Sequence, residues 1–242
     1  MGIDLDNLRS IGQYKGIIPA ALSNHVAGPS CPVALGFYFM ARVYAFIDGF
    51  NLYHALDASP SYRQFKWISL TKLVSCYLQK SDNLAGVEYF TTLATWDAGK
   101  VARHQLFIRV NEEQGVNVIY GEFKRKDRFC SLCHRRFTSR EEKQTDVNIA
   151  LRLLEVAIQD RYDRAIIVSG DTDLIPAIKT VTRTFPSKKI GAVIPIGRAS
   201  EDLKKQADFY HKMKFKHLVD SRLDDNHTMK DGSTVICPAN WQ

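Results

Sequence analysis

From Val43 to Ile194 the chain repeats one alternation, in which a short run of apolar β-formers is followed by a stretch of helical spacing and then by another such run. The runs are 43–47 (VYAFI), 87–93 (VEYFTTL), 116–120 (VNVIY), 165–168 (AIIV) and 190–194 (IGAVI). Each is short and mostly apolar, the pattern of a strand covered on both faces. Helices are expected over 69–79, 98–114, 144–160, 173–184 and 199–212. In 144–160, Val147, Ala150, Leu151, Leu154 and Ile158 recur at helical intervals and define the expected apolar face. Strands that alternate with helices are joined by crossovers into βαβ units, so the expected fold is α/β, a central, mostly parallel sheet with helices on both faces. No repeat of solenoid period is present.

The 242 residues, 45% of them hydrophobic, supply enough apolar material for one principal domain, expected over 40–220. Residues 1–39 mix Gly2, Gly12, Gly16, Gly28, Pro19, Pro29 and Pro32 with scattered apolar residues, and are expected as an irregular extension. Met40 stands just before the first strand, which leaves Met1 and Met40 as competing starts. Residues 221–242 are expected as a short tail. The longest apolar run, Val33 to Ala41, has nine residues, far below the ~20 of a membrane-spanning helix. No secretory signal is legible, since Asp4 and Asp6 stand where a basic region belongs. Five cysteines are an odd and sparse set, which argues for a reducing compartment, and the expectation is a cytoplasmic protein with no membrane partner. A formal charge of +7 favours an anionic partner.

The strand ends carry the chemistry. In an open α/β sheet ligands bind outside the carboxyl ends of the strands. Asp48 ends the first strand in Ile47-Asp48-Gly49-Phe50-Asn51-Leu52, and Asp171 and Asp173 follow the strand at 165–168. Asp146 opens a helix on the same expected edge. Each aspartate taken alone is also an ordinary cap or turn residue, but capping does not explain three acidic starts on one edge of a basic protein. Crowded carboxylates repel unless protonated or bridged by a hard cation, and an all-oxygen set suits Mg²⁺ or Mn²⁺. Such an ion serves phosphodiester hydrolysis. Asn51 and Thr145 are supporting candidates that could hold a ligand or water, and they also read as turn and N-cap residues.

Three blocks, FIDGFNLY (46–53), EEKQTDVNIALRLL (141–154) and VSGDTDLIPAI (168–178), resemble the signature blocks of the NYN domain. This is a PIN-like nuclease group that includes LabA-like and DUF88 proteins. The similarity spans about 43–217, with the blocks in family order. It implies a PIN-like α/β/α sandwich and a divalent-metal ribonuclease centre at Asp48, Asp146, Asp171 and Asp173, with RNA as partner. Some relatives are regulators, so a non-catalytic RNA-binding or regulatory protein is the alternative.

The segment 124–140, KRKDRFCSLCHRRFTSR, carries a net charge of +6 and is expected as a small basic insertion. Lys124, Arg125, Lys126, Arg135, Arg136, Arg140 and the nearby Lys143 are the expected nucleic-acid contacts, and Phe129 and Phe137 are placed to stack on unpaired bases. A solvated charged hairpin has the same composition. Within it, Cys130 and Cys133 have the spacing of half a zinc ribbon. A closed Zn²⁺ site takes four ligands, which would call on His134 and on His104, Cys76 or a second chain. A pair of reduced thiols in a turn is the plain reading. Asp171-Thr172-Asp173 also resembles an aspartyl-phosphatase dyad, but such enzymes carry it on the first strand. No GxGxxG, GxxxxGK[ST] or GxSxG motif is present.

Overall fold

Strand β1 (Arg42–Asp48) divides its side chains between two cores, Val43, Ala45 and Ile47 entering one and Tyr44 and Phe46 the other. The computed structural model, which describes residues 40–242, sets this strand at the middle of the sheet. The extension expected over 1–39 lies outside the described residues. The chain continues through α1 (Gly49–Asp57), α2 (Leu70–Ser75), β2 (Asn83–Thr91), α3 (Ala98–Glu113), β3 (Val116–Tyr120), β4 (Glu122–Phe129), β5 (Arg136–Lys143) and α4 (Thr145–Ile158). It then forms β6 (Arg164–Val168), α5 (Ile175–Thr184), β7 (Lys189–Ile194), α6 (Glu201–Gln206), β8 (Phe209–Lys212), α7 (Phe215–Ser221), β9 (Asn226–Thr228) and β10 (Thr234–Ile236).

Six strands pair in the order β3-β2-β1-β6-β7-β8, every pairing parallel. One core is closed by Leu52 of α1, Leu73 of α2 and Phe107 and Val110 of α3, the other by Ile149 and Leu153 of α4, Ile178 of α5 and Leu203 of α6. The expected helix-covered, largely parallel sheet is the observed one.

Two expectations are corrected. The helix read over 199–212 stops at Gln206 and gives way to β8. Asp208 makes the difference: its backbone N–H donates to Ile190 O, its Oδ2 accepts the Ile190 N–H, both at 2.8 Å, and the following residues are laid along β7. Phe209 then covers Gly191, where an added Cβ would come within 2.0 Å of the ring. The apolar face of α4 is also rotated. Ile149, Leu153, Val156 and Ala157 are buried, whereas Val147, Leu151 and Ile158 are 59%, 61% and 66% exposed. Both sets satisfy the helical period. Thr145 decides between them, because it is buried at the helix start and places Ile149, Leu153 and Val156 on its own side.

The stretch after Ser221, expected as a tail, packs on the domain. Trp67 Nε1 donates to Asp224 O at 3.0 Å, the Trp241 ring lies 6.4 Å from that of Trp67, and Met229, Val235 and Cys237 are buried. Among the described residues no helix is long and apolar enough to cross a membrane.

Candidate active site at the strand-order reversal

Successive strands step outward from β1 in one direction through β2 and β3, and in the other from β6 through β7 and β8. The carboxyl ends of β1 and β6 therefore flank the crevice that this reversal opens, the usual ligand position in such sheets. Asp48 lies at the end of β1, only 4% exposed, as the N-cap of α1. Its Oδ1 accepts the Asn51 N–H and its Oδ2 accepts the Ser169 hydroxyl, both at 2.9 Å. Ser169 Oγ in turn accepts the Asp171 N–H at 3.0 Å, and Asn51 Oδ1 accepts the Gly170 N–H at 3.0 Å. These bonds fasten the two strand ends to each other. Asp171 Oδ1 accepts the Asp173 N–H at 2.9 Å and so caps the short 3₁₀ turn ahead of α5.

Asp146 enters from α4. Gln144 before it adopts φ 79°, and Glu142 accepts both the Thr145 N–H, at 3.1 Å, and the Thr145 hydroxyl. Burial raises the Asp146 carboxyl to about 6, helped by the negative charges of Asp171, Asp48, Glu142 and Asp173. Burial also raises Asp48, against the hydrogen bonds from Asn51 and Ser169 that favour its charged form. Asp171, Asp48 and Asp173 thus all act on Asp146.

Thr145 and Asn51 are both engaged by hydrogen bonds within the protein. Thr145 is spent on Glu142, and Asn51 spans α1 and the β6 loop. Sequence reasoning missed Glu142 and Ser169. Glu142 stands inside the family block 141–154, but its partner lies three residues later, as in many local turns. Ser169 gave no signal beyond following a strand. Among the described residues, no group of three or more His, Cys, Asp or Glu side chains is arranged to hold a metal ion. The donor chemistry is nonetheless that of a hard cation, since every acidic group here offers carboxylate oxygens.

The NYN domain model matches residues 42–214, most of the chain and the whole of the six-stranded sheet. The chain belongs to the NYN domain family. That family is part of the PIN-like nuclease superfamily, and the sheet with its two helix layers is consistent with a PIN-like sandwich. A protein of unknown function from Vibrio parahaemolyticus shares the fold, with a TM-score of 0.54 at 19% identity over 76% of this chain and 97% of that one. A curated relative, the 6-hydroxy-3-succinoylpyridine 3-monooxygenase HspA of Pseudomonas putida, is 26% identical over 190 residues. That match takes in 64% of this chain and only 59% of the relative's length.

The basic insertion of this NYN domain is an antiparallel ribbon of β4 and β5, outside the main sheet. Strand alternation gives it two unlike faces. On one, Glu141 takes Lys126 at 3.4 Å, Lys143 at 3.3 Å and Arg128, while Lys124 meets Glu122 at 3.3 Å. On the other, Phe123 packs edge-on against Trp96 and Phe50, and Arg140 lies 4.1 Å above the Trp96 ring. Among the described residues Arg125, Arg135 and Arg136 make no ion pair. Phe129 and Phe137 stay exposed.

The ribbon turns at the two thiols. Cys130 N–H donates to Arg135 O at 2.9 Å, and hydrogen bonds from Cys133 and from the Leu132 backbone lower the Cys130 thiol. His134 adopts φ 52° beside them. The remaining candidate zinc ligands are held elsewhere: His104 Nε2 lies between Tyr89 Oη and Thr91 Oγ1, and Cys76 Sγ meets Lys72 O and Ser221 Oγ. Neither completes a zinc shell at the ribbon tip.

Proposed function

We propose that this NYN domain is a divalent-metal-dependent ribonuclease whose centre is the crevice between β1 and β6. One observation carries the reading: Ser169 ties Asp48 and Asp171 together at the crevice, and the Asp146 carboxyl beside them is raised to about 6 by burial first and then by the charges of Asp171, Asp48, Glu142 and Asp173, in a family of the nuclease superfamily. Mg²⁺ usually keeps several waters and binds through one or two carboxylates together with substrate phosphates. The absence of a three-ligand shell among the described residues suits that mode better than a four-aspartate cage. Asp146 and Asp171 are the residues we assign to hold the ion. Asp48, with both oxygens already accepting hydrogen bonds, orients the crevice and adds negative charge.

When bound, Mg²⁺ or Mn²⁺ supplies a water of lowered pKa and offsets charge on the phosphodiester. The protein supplies the rest. Ser169 and Asn51 hold the carboxylates in register, and Arg125, Arg135 and Arg136 draw the RNA backbone toward an otherwise repulsive acidic edge. Hydrolysis adds the water oxygen to phosphorus, breaks one P–O ester bond and leaves the proton on the departing oxygen.

Purified protein incubated with labelled single-stranded RNA should cleave it with Mn²⁺ or Mg²⁺ and not with chelator. Asp171→Asn and Asp146→Asn should each reduce cleavage to background while the protein stays folded. Wild-type cleavage by both variants would remove the assignment. Metal-independent RNA binding without cleavage would favour the second reading, a non-catalytic RNA-binding or regulatory protein. The relative's named chemistry, oxygenation of a substituted pyridine, predicts no RNA cleavage at all.

A further inference from the structure

Cys130 and Cys133 take no part in the chemistry assigned above, and they sit where the β4–β5 ribbon turns, outside both cores. The ladder keeps its register from Glu122 opposite Lys143 to Phe129 opposite Arg136, and the Cys130 N–H closes the turn on Arg135 O. The ribbon leaves the domain at its root. Arg125 and Arg140 face each other there, with Arg140 on the Trp96 ring. Beyond that pair, the side-chain hydrogen bonds, ion pairs and ring contacts among the described residues stay within the ribbon itself. Asp127 and Phe129 are exposed on one of its faces, Arg128 and Phe137 on the other. Four further residue pairs, about 14 Å of strand, thus carry the two thiols away from the body of the protein.

At the turn, Cys130 Sγ faces the backbone N–H groups of Cys133 and Leu132 and the Cys133 thiol. Both sulfurs are therefore within reach of one ion, to which a thiolate binds at about 2.3 Å. A tetrahedral zinc centre takes two ligands more. His134 leaves the turn at φ 52°, with its ring 5.8 Å from that of Phe129, and among the described residues no third His, Cys, Asp or Glu is grouped with the thiols. A ribbon held away from its own domain meets the missing pair most directly on the same ribbon of a second copy, because a twofold axis through the ion supplies an identical pair. The surroundings of the thiols fit that occupant. Leu132 is 92% exposed beside them and Phe129 and Phe137 are exposed below, an apolar fringe on an otherwise charged ribbon that a second tip would cover. Four thiolates around one Zn²⁺ carry excess negative charge, which Arg135 and Arg136 of each copy offset, and the repulsion between two basic tips falls accordingly.

We infer that Cys130 and Cys133 are half of a zinc site which the same two residues of a second copy complete, so that one Zn²⁺ joins two NYN domains by the tips of their ribbons. Four Zn–S bonds form, each thiol proton passes to solvent, and no sulfur changes its oxidation state. Soft thiolates hold this ion apart from the hard carboxylate crevice. The bridge does not depend on the reading of that crevice as a ribonuclease.

The test uses the full chain purified with a phosphine reductant and no chelator, with elemental analysis for zinc and sedimentation for mass. About half a zinc ion per chain and a dimer are expected. A strong chelator should return monomers, and added Zn²⁺ should restore the dimer. Co²⁺ in its place should give the intense visible absorption of a tetrahedral tetrathiolate site. Cys130→Ser and Cys133→Ser should each lose both the zinc and the dimer with the melting temperature nearly unchanged, because the turn lies outside both cores. Cys76→Ser should keep both. A dimer that survives chelator or persists in Cys130→Ser overturns the inference, since its contacts then need no bridging ion. About one zinc per monomeric chain overturns it as well, because the missing ligands then come from the same chain. Protein that takes up no zinc after full reduction, or whose Cys130 and Cys133 stay joined as a disulfide under the reductant, leaves no zinc site at the turn.

Discussion

Ser169 donates its hydroxyl to the buried Asp48 carboxylate at 2.9 Å, across the seam where the sheet reverses its strand order. The same oxygen accepts the Asp171 N–H at 3.0 Å. One fully buried side chain from the end of β6 thereby sets the position of two acidic residues that lie more than a hundred positions apart in the chain. Ser169→Ala removes one donor from a buried carboxylate and the acceptor of one backbone N–H, and should lower stability by about 1–3 kcal/mol. Metal-dependent cleavage should fall further than stability does, because Asp48 and Asp171 lose their common anchor. Urea unfolding and single-turnover cleavage measure the two effects, and full activity in the variant would show that the anchor is dispensable.

The ribbon's charges divide into paired and unpaired sets, and salt dependence separates them. Replacing Arg125, Arg135 and Arg136 together by Gln should make the log Kd against log salt plot for single-stranded RNA shallower by about 2, at ~0.7 for each phosphate that is no longer neutralised. The corresponding change at Lys124, Lys126 and Lys143, which are already paired with Glu122 or Glu141, should alter the slope less. Equal effects from both triple variants would mean that the glutamates do not hold these lysines in solution.

Burial lowers His104 from 6.5 to about 4. Between those values the unfolded chain binds a proton that the folded chain does not. Stability from the neutral imidazole is therefore complete above pH 6.5, declines as the pH falls, and is lost by roughly pH 4, a total of up to about 3 kcal/mol. His104→Gln should flatten the wild-type loss of stability over that interval. Thermal melts of both proteins from pH 7 to 4 give the comparison, and parallel curves would place the acid sensitivity elsewhere.

The rotated face of α4 has a direct consequence for mutagenesis. Leu153→Ala should cost about 2–5 kcal/mol as a truncation inside the core, and Leu151→Ala on the exposed side should stay within about 0.5 kcal/mol. Chemical denaturation of the two variants measures both. A larger cost at Leu151 would show that the exposed stripe of Val147, Leu151 and Ile158 is covered in solution.

The unbroken apolar strands, the acidic residues at their ends and the three family blocks are local features of the chain, and they sufficed for the parallel sheet, its two helix layers and the assignment of the NYN family. Tertiary structure decided everything that depended on rotation or on a distant partner. The phase of α4 followed from the burial of Thr145, because two apolar stripes on that helix satisfy the same period. Phe209–Lys212 became a strand because Asp208 could bond across to Ile190, a partner that no local preference of those four residues names. Glu142 and Ser169 entered the site for the same reason. Their importance lies in which carboxylate each faces, and a side chain's neighbours across a parallel sheet are set by crossover and register, which a linear pattern of residue types does not encode.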